Sequence, residues 1–279
     1  MLSFITWSAD PAIFTIGSRE IRWYGLAFAL GFIIGYKIVE IMWKKEKLPI
    51  DWLDKLLFYT IMGTVVGARL GHCLFYDPGY YLANPFEMLK IWEGGLASHG
   101  GVLGIIVATW IYSKKVSHKS MLWAFDKLVV PTGLVSCFIR LGNLMNHEIY
   151  GHATSVPWAF RFITNLFYWE RGAEPIYTSP SHPTQIYEAI FYLITFAVCM
   201  WLYWKKDAQK REGLIFGIFL IGIFFSRFLV EFMKNSQKTF EDGMLFNMGQ
   251  LLSVPFVVAG VWLVWRAWKQ PLPEKQKRK

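Results

Sequence analysis

Polar residues are concentrated in one short stretch, 140–151, directly after an apolar run that begins near Leu122. The stretch sets one cation, two amides and an acid between glycines: Arg140, Asn143, Asn146, Glu148 and Gly151. A charge at the end of an apolar run is costly unless it is paired or functional. No acidic residue precedes Arg140 within a turn or two, so its partner comes from another helix or from an anionic ligand. The spacing therefore indicates a site for a negatively charged group.

The composition around this stretch is typical of a membrane protein. Of 279 residues, 54% are hydrophobic and 18% are charged, with a mean hydropathy of +0.31. A soluble chain would carry about 25% charged residues. The net charge of +9 would suit nucleic acid, but the basic residues form short runs between apolar segments rather than one patch. We therefore expect an integral membrane protein that binds no nucleic acid.

The three cysteines, Cys73, Cys137 and Cys199, all lie inside apolar segments and show no paired spacing. This favours small buried side chains over a disulfide framework or a metal site. We expect neither a metal nor a cofactor. Asp10 and Pro11 interrupt the first apolar residues, which do not resemble a cleaved signal peptide.

Apolar stretches near the length that crosses a bilayer, about 20 residues, recur along the chain. They predict an all-α polytopic membrane protein with seven transmembrane helices. The predicted spans are 23–42, 53–75, 96–112, 122–144, 185–204, 213–233 and 247–268. The third is the shortest and begins with glycines.

Lysine and arginine alternate between the two sides of these spans. The richer connections follow spans one, three, five and seven, with Lys44, Lys45, Lys47, Lys114, Lys115, Lys119, Lys205, Lys206, Lys210, Arg211, Arg266 and Lys269 among their residues. The positive-inside rule then places the N-terminus outside and the C-terminus in the cytoplasm. We expect one integral membrane domain over 1–279, with a small external head at 145–184 between spans four and five and a basic cytoplasmic tail at 269–279.

The polar residues of the spans cluster at the outer side in this topology. They are Tyr24, Arg69, His72, His99, Arg140, Asn143, Tyr187, Glu188, Arg227, Glu231, Asn247 and Gln250, with Asn146 and Glu148 just beyond span four. This predicts a site in the outer leaflet, where an anionic ligand is a phospholipid head group. Arg140 and Arg227, on different spans, could hold one phosphate through bidentate bonds.

Structural alternatives stay open for several of these residues. Arg227 and Glu231 are four apart and could form an ion pair within one helix. Arg69 could extend to the head groups, and Tyr187 and Glu188 could simply fix span five to its neighbours. Glycines repeat every four residues in span two, at 63, 67 and 71, which indicates close helix packing.

The pattern from Arg140 to Gly151 resembles the signature of the bacterial prolipoprotein diacylglyceryl transferases. The other landmarks also occur in the family's order: Trp23-Tyr24-Gly25, His99-Gly100-Gly101, the segment from His182 to Glu188, and the pair Arg227 and Glu231. The likeness covers essentially the whole chain.

The resemblance implies a reaction in the bacterial inner membrane. Such enzymes move the diacylglyceryl unit of phosphatidylglycerol onto the lipobox cysteine of a prolipoprotein signal peptide, forming a thioether and releasing glycerol phosphate. It implies catalytic roles for His99, Arg140, Arg227 and Tyr24. A thiol with a pKa of about 8.5 needs a base, for which His99 is the candidate.

The resemblance also implies substrate-binding roles, for Arg140, Asn143, Asn146, Glu148, Gly151, Arg227 and Glu231. The asparagines would position the glycerol hydroxyls or an arginine, and the two glutamates would orient guanidinium groups. The chain departs from the family at Ile223, where relatives often carry tyrosine one turn before the arginine of span six. Tyr24 or Tyr187 could substitute for that hydroxyl.

A lipid transporter or flippase with an outer-leaflet head-group site is the alternative class. It should place charges near the midplane of the membrane and show inverted repeats, whereas the charges here lie at one surface. An intramembrane serine protease would need a serine and a histidine in triad geometry, and Ser98 and His99 are adjacent in the chain.

Overall fold

The computed structural model describes residues 4–17, 19–234 and 245–270. The described chain is mostly helical. The helices are α1 (Trp23–Glu46), α2 (Ile50–Phe75), α3 (Pro78–Ala83), α4 (Ser98–Tyr112), α5 (Met121–Met145), α6 (Leu166–Trp169), α7 (Thr184–Lys205), α8 (Leu214–Glu231) and α9 (Met248–Lys269). Most of the predicted basic tail, from residue 271 onward, lies outside the described residues.

Six of the described helices are long and apolar enough to cross a membrane: α1, α2, α5, α7, α8 and α9. The polytopic helical class predicted from the sequence is thereby confirmed. The third predicted span corresponds to α4, which has only 15 residues. A π-helical turn at Ser113–Ser117 continues it without a break.

Two small sheets accompany the helices and were not predicted. Strand β1 (Phe4–Thr6) pairs in parallel with β4 (Ala159–Arg161), and β2 (Ala12–Ile16) pairs antiparallel with β3 (Arg19–Arg22). Both are too short to show the alternating hydrophobic pattern by which strands are recognised in a sequence.

The chain divides into two compact units. The first comprises Met1–Ile38 and Leu128–Lys279, and the second comprises Val39–Lys127.

In the second unit, α2 and α4 pack backbone against backbone through their glycines. A Cβ added at Gly67 would collide with the carbonyl oxygen of Gly100, and one added at Gly63 would lie 2.6 Å from the carbonyl oxygen of Gly104. Helices without side chains at the contact approach closely enough for extensive van der Waals packing. The packing role predicted for the glycines of span two is therefore confirmed.

Arg69, near the end of α2, is buried and organises the connection between α2 and α4. Its guanidinium donates to four backbone carbonyls, of Glu87 (2.6 Å), Met88 (2.9 Å), Gly94 (2.6 Å) and Gly95 (3.3 Å). This side chain binds the protein's own backbone rather than extending to lipid head groups.

In the first unit, the segment between α5 and α7 folds onto the N-terminal residues. Phe160, Phe162 and Leu144 form its buried core, and Trp7 and Tyr150 pack against them. The Trp7 indole donates to the Leu144 carbonyl at 3.0 Å. The segment is an ordered structure built on the end of α5.

Candidate active site

Arg140 lies in the last turns of α5, where two side chains of α7 approach it. Its Nε is 2.9 Å from Oε2 of Glu188 on α7, and a terminal nitrogen donates to Oδ1 of Asn143 at 3.2 Å. The Tyr192 ring is 5.9 Å from the guanidinium carbon, and its hydroxyl is also within hydrogen-bonding reach. Arg140 therefore takes its acidic partner from another helix, one of the two sources that its sequence context allowed.

Glu188 is the centre of a buried charge cluster. Its side chain is 0% exposed, and its second oxygen, Oε1, accepts from Nζ of Lys234 at 3.0 Å. Lys234 follows the end of α8, is itself buried, and donates to Oε2 of Glu231 at 3.4 Å. Charges without water are stable only when they are paired and hydrogen-bonded. Two cations and two anions are paired here, and Lys234 supplies hydrogen bonds to both carboxylates.

Arg227 lies on α8 one turn before Glu231, and its side chain is half-buried. Glu231 pairs with Lys234, and within the described residues Arg227 forms neither an ion pair nor a side-chain hydrogen bond. The intrahelical pair that its spacing allowed is absent. The Tyr192 hydroxyl of α7 interacts electrostatically with Arg227 as well as with Arg140.

Glu148 lies just beyond α5 and accepts from two asparagine side chains. Its Oε1 is 2.8 Å from Nδ2 of Asn143 and 3.2 Å from Nδ2 of Asn146. Gln185 fixes the same turn by donating to the Glu148 carbonyl at 2.6 Å. Neither Glu148 nor Glu231 contacts a guanidinium in the described structure, contrary to the expectation for these two residues. Asn143 links Arg140 to Glu148.

Two glycines allow close contacts at this site. A Cβ at Gly142 would lie 2.7 Å from the Tyr24 ring, which places α1 against the segment that holds Arg140 and Asn143. A Cβ at Gly151 would collide with the Met233 carbonyl oxygen and approach His182 and Thr184 to 2.9 Å. Gly151 therefore packs against protein backbone at the end of α8, beside Lys234.

A buried histidine, His147, supports the site from the segment that follows α5. Its Nδ1 accepts the Ile163 amide at 3.1 Å, so Nε2 carries the proton and donates to the Ala9 carbonyl at 2.9 Å. Burial lowers the pKa of His147 below its ordinary value of 6.5. The neutral ring thus connects the N-terminal residues to the segment that follows Arg140.

His99 belongs to the second unit. It lies at the start of α4, is exposed, and makes no side-chain hydrogen bond in the part of the chain that the structure describes. His72, in the same unit, stacks on Tyr76 with ring centroids 5.5 Å apart. The other predicted site residues all lie in the first unit, where Arg140, Asn143, Asn146 and Glu148 form one connected group. In the described residues no cluster of three or more metal-ligating side chains occurs.

Sequence reasoning did not assign two residues of the site. Lys234 lies just past the sixth predicted span, and its position three residues after Glu231 allows a helical pair. Tyr192 follows Glu188 by four residues and so shares its helix face. Helical spacing from a buried acid was the available signal in both cases.

The fold and the site together define a polytopic membrane protein with a largely buried charge cluster between its helices, in which one cation, Arg227, has no ionic partner among the described residues. The family model of the prolipoprotein diacylglyceryl transferases matches residues 11–266. The chain belongs to this family.

Several curated relatives are similar over nearly their full length. A phosphatidylglycerol–prolipoprotein diacylglyceryl transferase of Porphyromonas gingivalis is 56% identical over 279 residues, covering 98% of each chain. Proteins of the same name from Tolumonas auensis and Chloroherpeton thalassium are 45% and 44% identical. The match to the Tolumonas protein covers 92% of this chain and 95% of the relative, and the match to the Chloroherpeton protein covers 98% of both. These relatives favour a transferase over a lipid transporter.

Proposed function

We propose that this protein transfers the diacylglyceryl group of phosphatidylglycerol to the lipobox cysteine of prolipoproteins. The relatives' names supply the reaction. The observation in this chain that supports it most is that Arg227 on α8 forms no ion pair in the described structure, while it and Arg140 both interact electrostatically with the Tyr192 hydroxyl. Because the paired charges of the cluster balance, Arg227 leaves one positive charge for the single negative charge of a phosphodiester.

The reaction forms a thioether, so the bond that breaks joins a glyceryl carbon to a phosphate oxygen. The cysteine sulfur attacks that carbon as a thiolate, and glycerol phosphate leaves with the bonding electron pair. The thiol proton passes to a base, a role we assign to His99. Its side chain is exposed at the start of α4 and makes no hydrogen bond in the described residues, so its ring nitrogens are free to accept that proton.

Arg140 and Arg227 would stabilise the charge that develops on the leaving phosphate, since preorganised cations act most strongly where water is excluded. Asn143 would hold the Arg140 guanidinium in place, and Asn146 and Glu148 would line the side facing the head-group glycerol. Tyr24 would close the site from α1 through its contact with Gly142.

We also propose the topology in which this chemistry takes place. The protein crosses the inner membrane seven times, with its N-terminus outside, its C-terminus in the cytoplasm and its active site toward the outer leaflet. Residues 98–117, α4 with its π-helical turn, form the third span in chain order and bring the six long helices to seven spans. At 1.5 Å per residue they would extend about 30 Å, which matches the hydrocarbon thickness.

The test is transfer by the purified protein in detergent. Phosphatidylglycerol and a lipobox peptide should give a thioether-linked peptide and one equivalent of glycerol phosphate, without added metal or nucleotide. A peptide with serine in place of the cysteine is the matched control. Glycerol phosphate release that continues with the serine peptide would contradict the mechanism.

A further inference from the structure

We propose that Glu188 and Lys234 are a coupled pair of positioning residues, in which Glu188 orients Arg140 and Lys234 keeps that arginine electrostatically available to an anionic lipid. The inference rests on the proposed function. It concerns how the phosphate site obtains its net charge, and none of its steps passes through the cysteine or its base.

Glu188 holds one edge of the Arg140 guanidinium. Its Oε2 lies 2.9 Å from Nε, while Asn143 accepts from a terminal nitrogen at 3.2 Å. A planar guanidinium held at two points has a fixed orientation, so its remaining donors point in one direction. A glutamate from α7 thereby aims an arginine of α5.

Without Lys234, the negative charge of Glu188 would cancel the positive charge of Arg140, the side chain that it orients. Its carboxylate has no exposure to water, so its negative charge would act on Arg140 with little screening. Lys234 prevents this because its Nζ is 3.0 Å from the other carboxylate oxygen. The paired charges are then two positive, Arg140 and Lys234, and two negative, Glu188 and Glu231.

The balance leaves Arg227 as the net charge of these five side chains; Glu148, which accepts from Asn143 and Asn146, lies outside the ion-paired set and is unchanged in every variant below. Removing Lys234 alone makes the cluster neutral overall, which suits an anionic ligand poorly. Removing the charge of Glu188 alone gives an excess of two positive charges but releases Arg140 from its orientation. Loss of Lys234 should therefore mainly weaken lipid binding, whereas loss of the Glu188 charge should mainly slow turnover. A purely structural pair would not separate the two effects.

The test uses Glu188→Gln, Lys234→Met, the double variant and Lys234→Arg, each in the full-length protein. The kcat and KM are measured for phosphatidylglycerol with a lipobox peptide. Glu188→Gln should lower kcat roughly 10²-fold, the cost of a misplaced group, without raising KM. Lys234→Met should raise KM about tenfold, as expected for loss of one unit charge acting through a partly screened medium. Lys234→Arg should restore KM.

The double variant is decisive because it returns the original net charge. Its KM should approach the wild-type value, whereas its kcat should stay at the level of Glu188→Gln. If the effects of the single variants on KM simply multiply in the double variant, the proposed compensation is wrong. Unchanged kcat in Glu188→Gln would equally remove its orienting role.

A binding measurement separates this inference from the proposed function and from misfolding. Fluorescent phosphatidylglycerol and phosphatidylcholine are titrated into each variant in nanodiscs, and Lys234→Met should lose the preference for the anionic lipid. The matched control is Lys127→Met, which removes a buried lysine paired with Glu46 at 2.7 Å in the other unit. Equal loss of preference in Lys127→Met would overturn the proposal. An inactive wild-type protein would refute the proposed function alone.

Discussion

Glu231 and Arg227 lie one helical turn apart on α8, yet the glutamate pairs with Lys234, 3.4 Å away, and leaves the arginine without an ionic partner in the described residues. A charged side chain in a membrane helix is expensive unless it meets a counter-charge. Arg227 is therefore the side chain on which a bound phosphate should have the largest effect.

Replacing Arg227 by glutamine should reduce glycerol phosphate release by roughly 10²–10³-fold, the usual cost of losing one preorganised charge stabiliser. Arg227→Lys should retain part of the activity, because an ammonium keeps the charge but not the bidentate geometry. The exposed pair Lys55–Asp51 supplies a control, Lys55→Ala, which should retain full activity. Wild-type rates in Arg227→Gln would remove this residue from the phosphate site.

Gly151→Ala should destabilise the protein. Its Cβ would collide with the Met233 carbonyl oxygen, and backbone atoms relax less easily than side chains. Overpacking of this kind costs about 1–3 kcal/mol. The measurement is thermal unfolding in detergent, with Gly25→Ala as control because a Cβ there meets no described atom within 4 Å. Equal melting temperatures for the two variants would show that the contact at Gly151 is not limiting.

Stability should decrease as the pH is lowered, because burial depresses the pKa of His147 below 6.5 in the folded protein. The unfolded chain then binds more protons in the range below about 6.5, so the stabilisation is complete above that pH and is lost on acidification. The midpoint temperature of thermal unfolding should fall as the pH is lowered from 8 to 5. It should fall less steeply in His147→Gln.

The pKa of His182 is also lowered, by burial and by the neighbouring His152, and it adds to the same slope. The variant His147→Gln/His182→Gln should therefore show the smallest dependence. A slope that is identical in wild type and in both variants would contradict the assignment.

Arg69→Met should loosen the connection between α2 and α4 without unfolding the helices. Four backbone carbonyls lose their donor at once, at Glu87, Met88, Gly94 and Gly95. Limited proteolysis should then cut within 78–95 at a rate increased by at least several-fold. Lys90→Ala, which removes a half-exposed side chain paired with Glu87, should leave the rate close to that of the wild type. Equal protection in both variants would show that Arg69 is dispensable there.

The long helices could be predicted from the sequence because each is a nearly continuous apolar run, and their boundaries agree with the spans to within a few residues. The third predicted span was harder because it is the shortest: α4 has 15 residues, and its glycines serve contact with α2. The sheets could not be predicted, since Phe4–Thr6 pairs with a segment far along the chain. Local patterns carry no information on such partners.

The site was only partly predictable for a similar reason. A lone arginine at the end of an apolar run marks Arg140 as exceptional, but the choice between a ligand and a neighbouring helix depends on which helices touch. The approach of α7 to α5 brings Glu188 to Arg140. The position of Lys234, just past the end of α8, determines which cation meets Glu231.

The bond from the Trp7 indole to the Leu144 carbonyl joins residues 137 positions apart, and this separation has a consequence for biosynthesis. Trp7 is synthesised long before Leu144, so this bond can form only after α5 has been made and placed. A bulky group attached next to Trp7 should therefore act on a late stage of assembly, the docking of this segment on the end of α5, while insertion of the first helices proceeds normally.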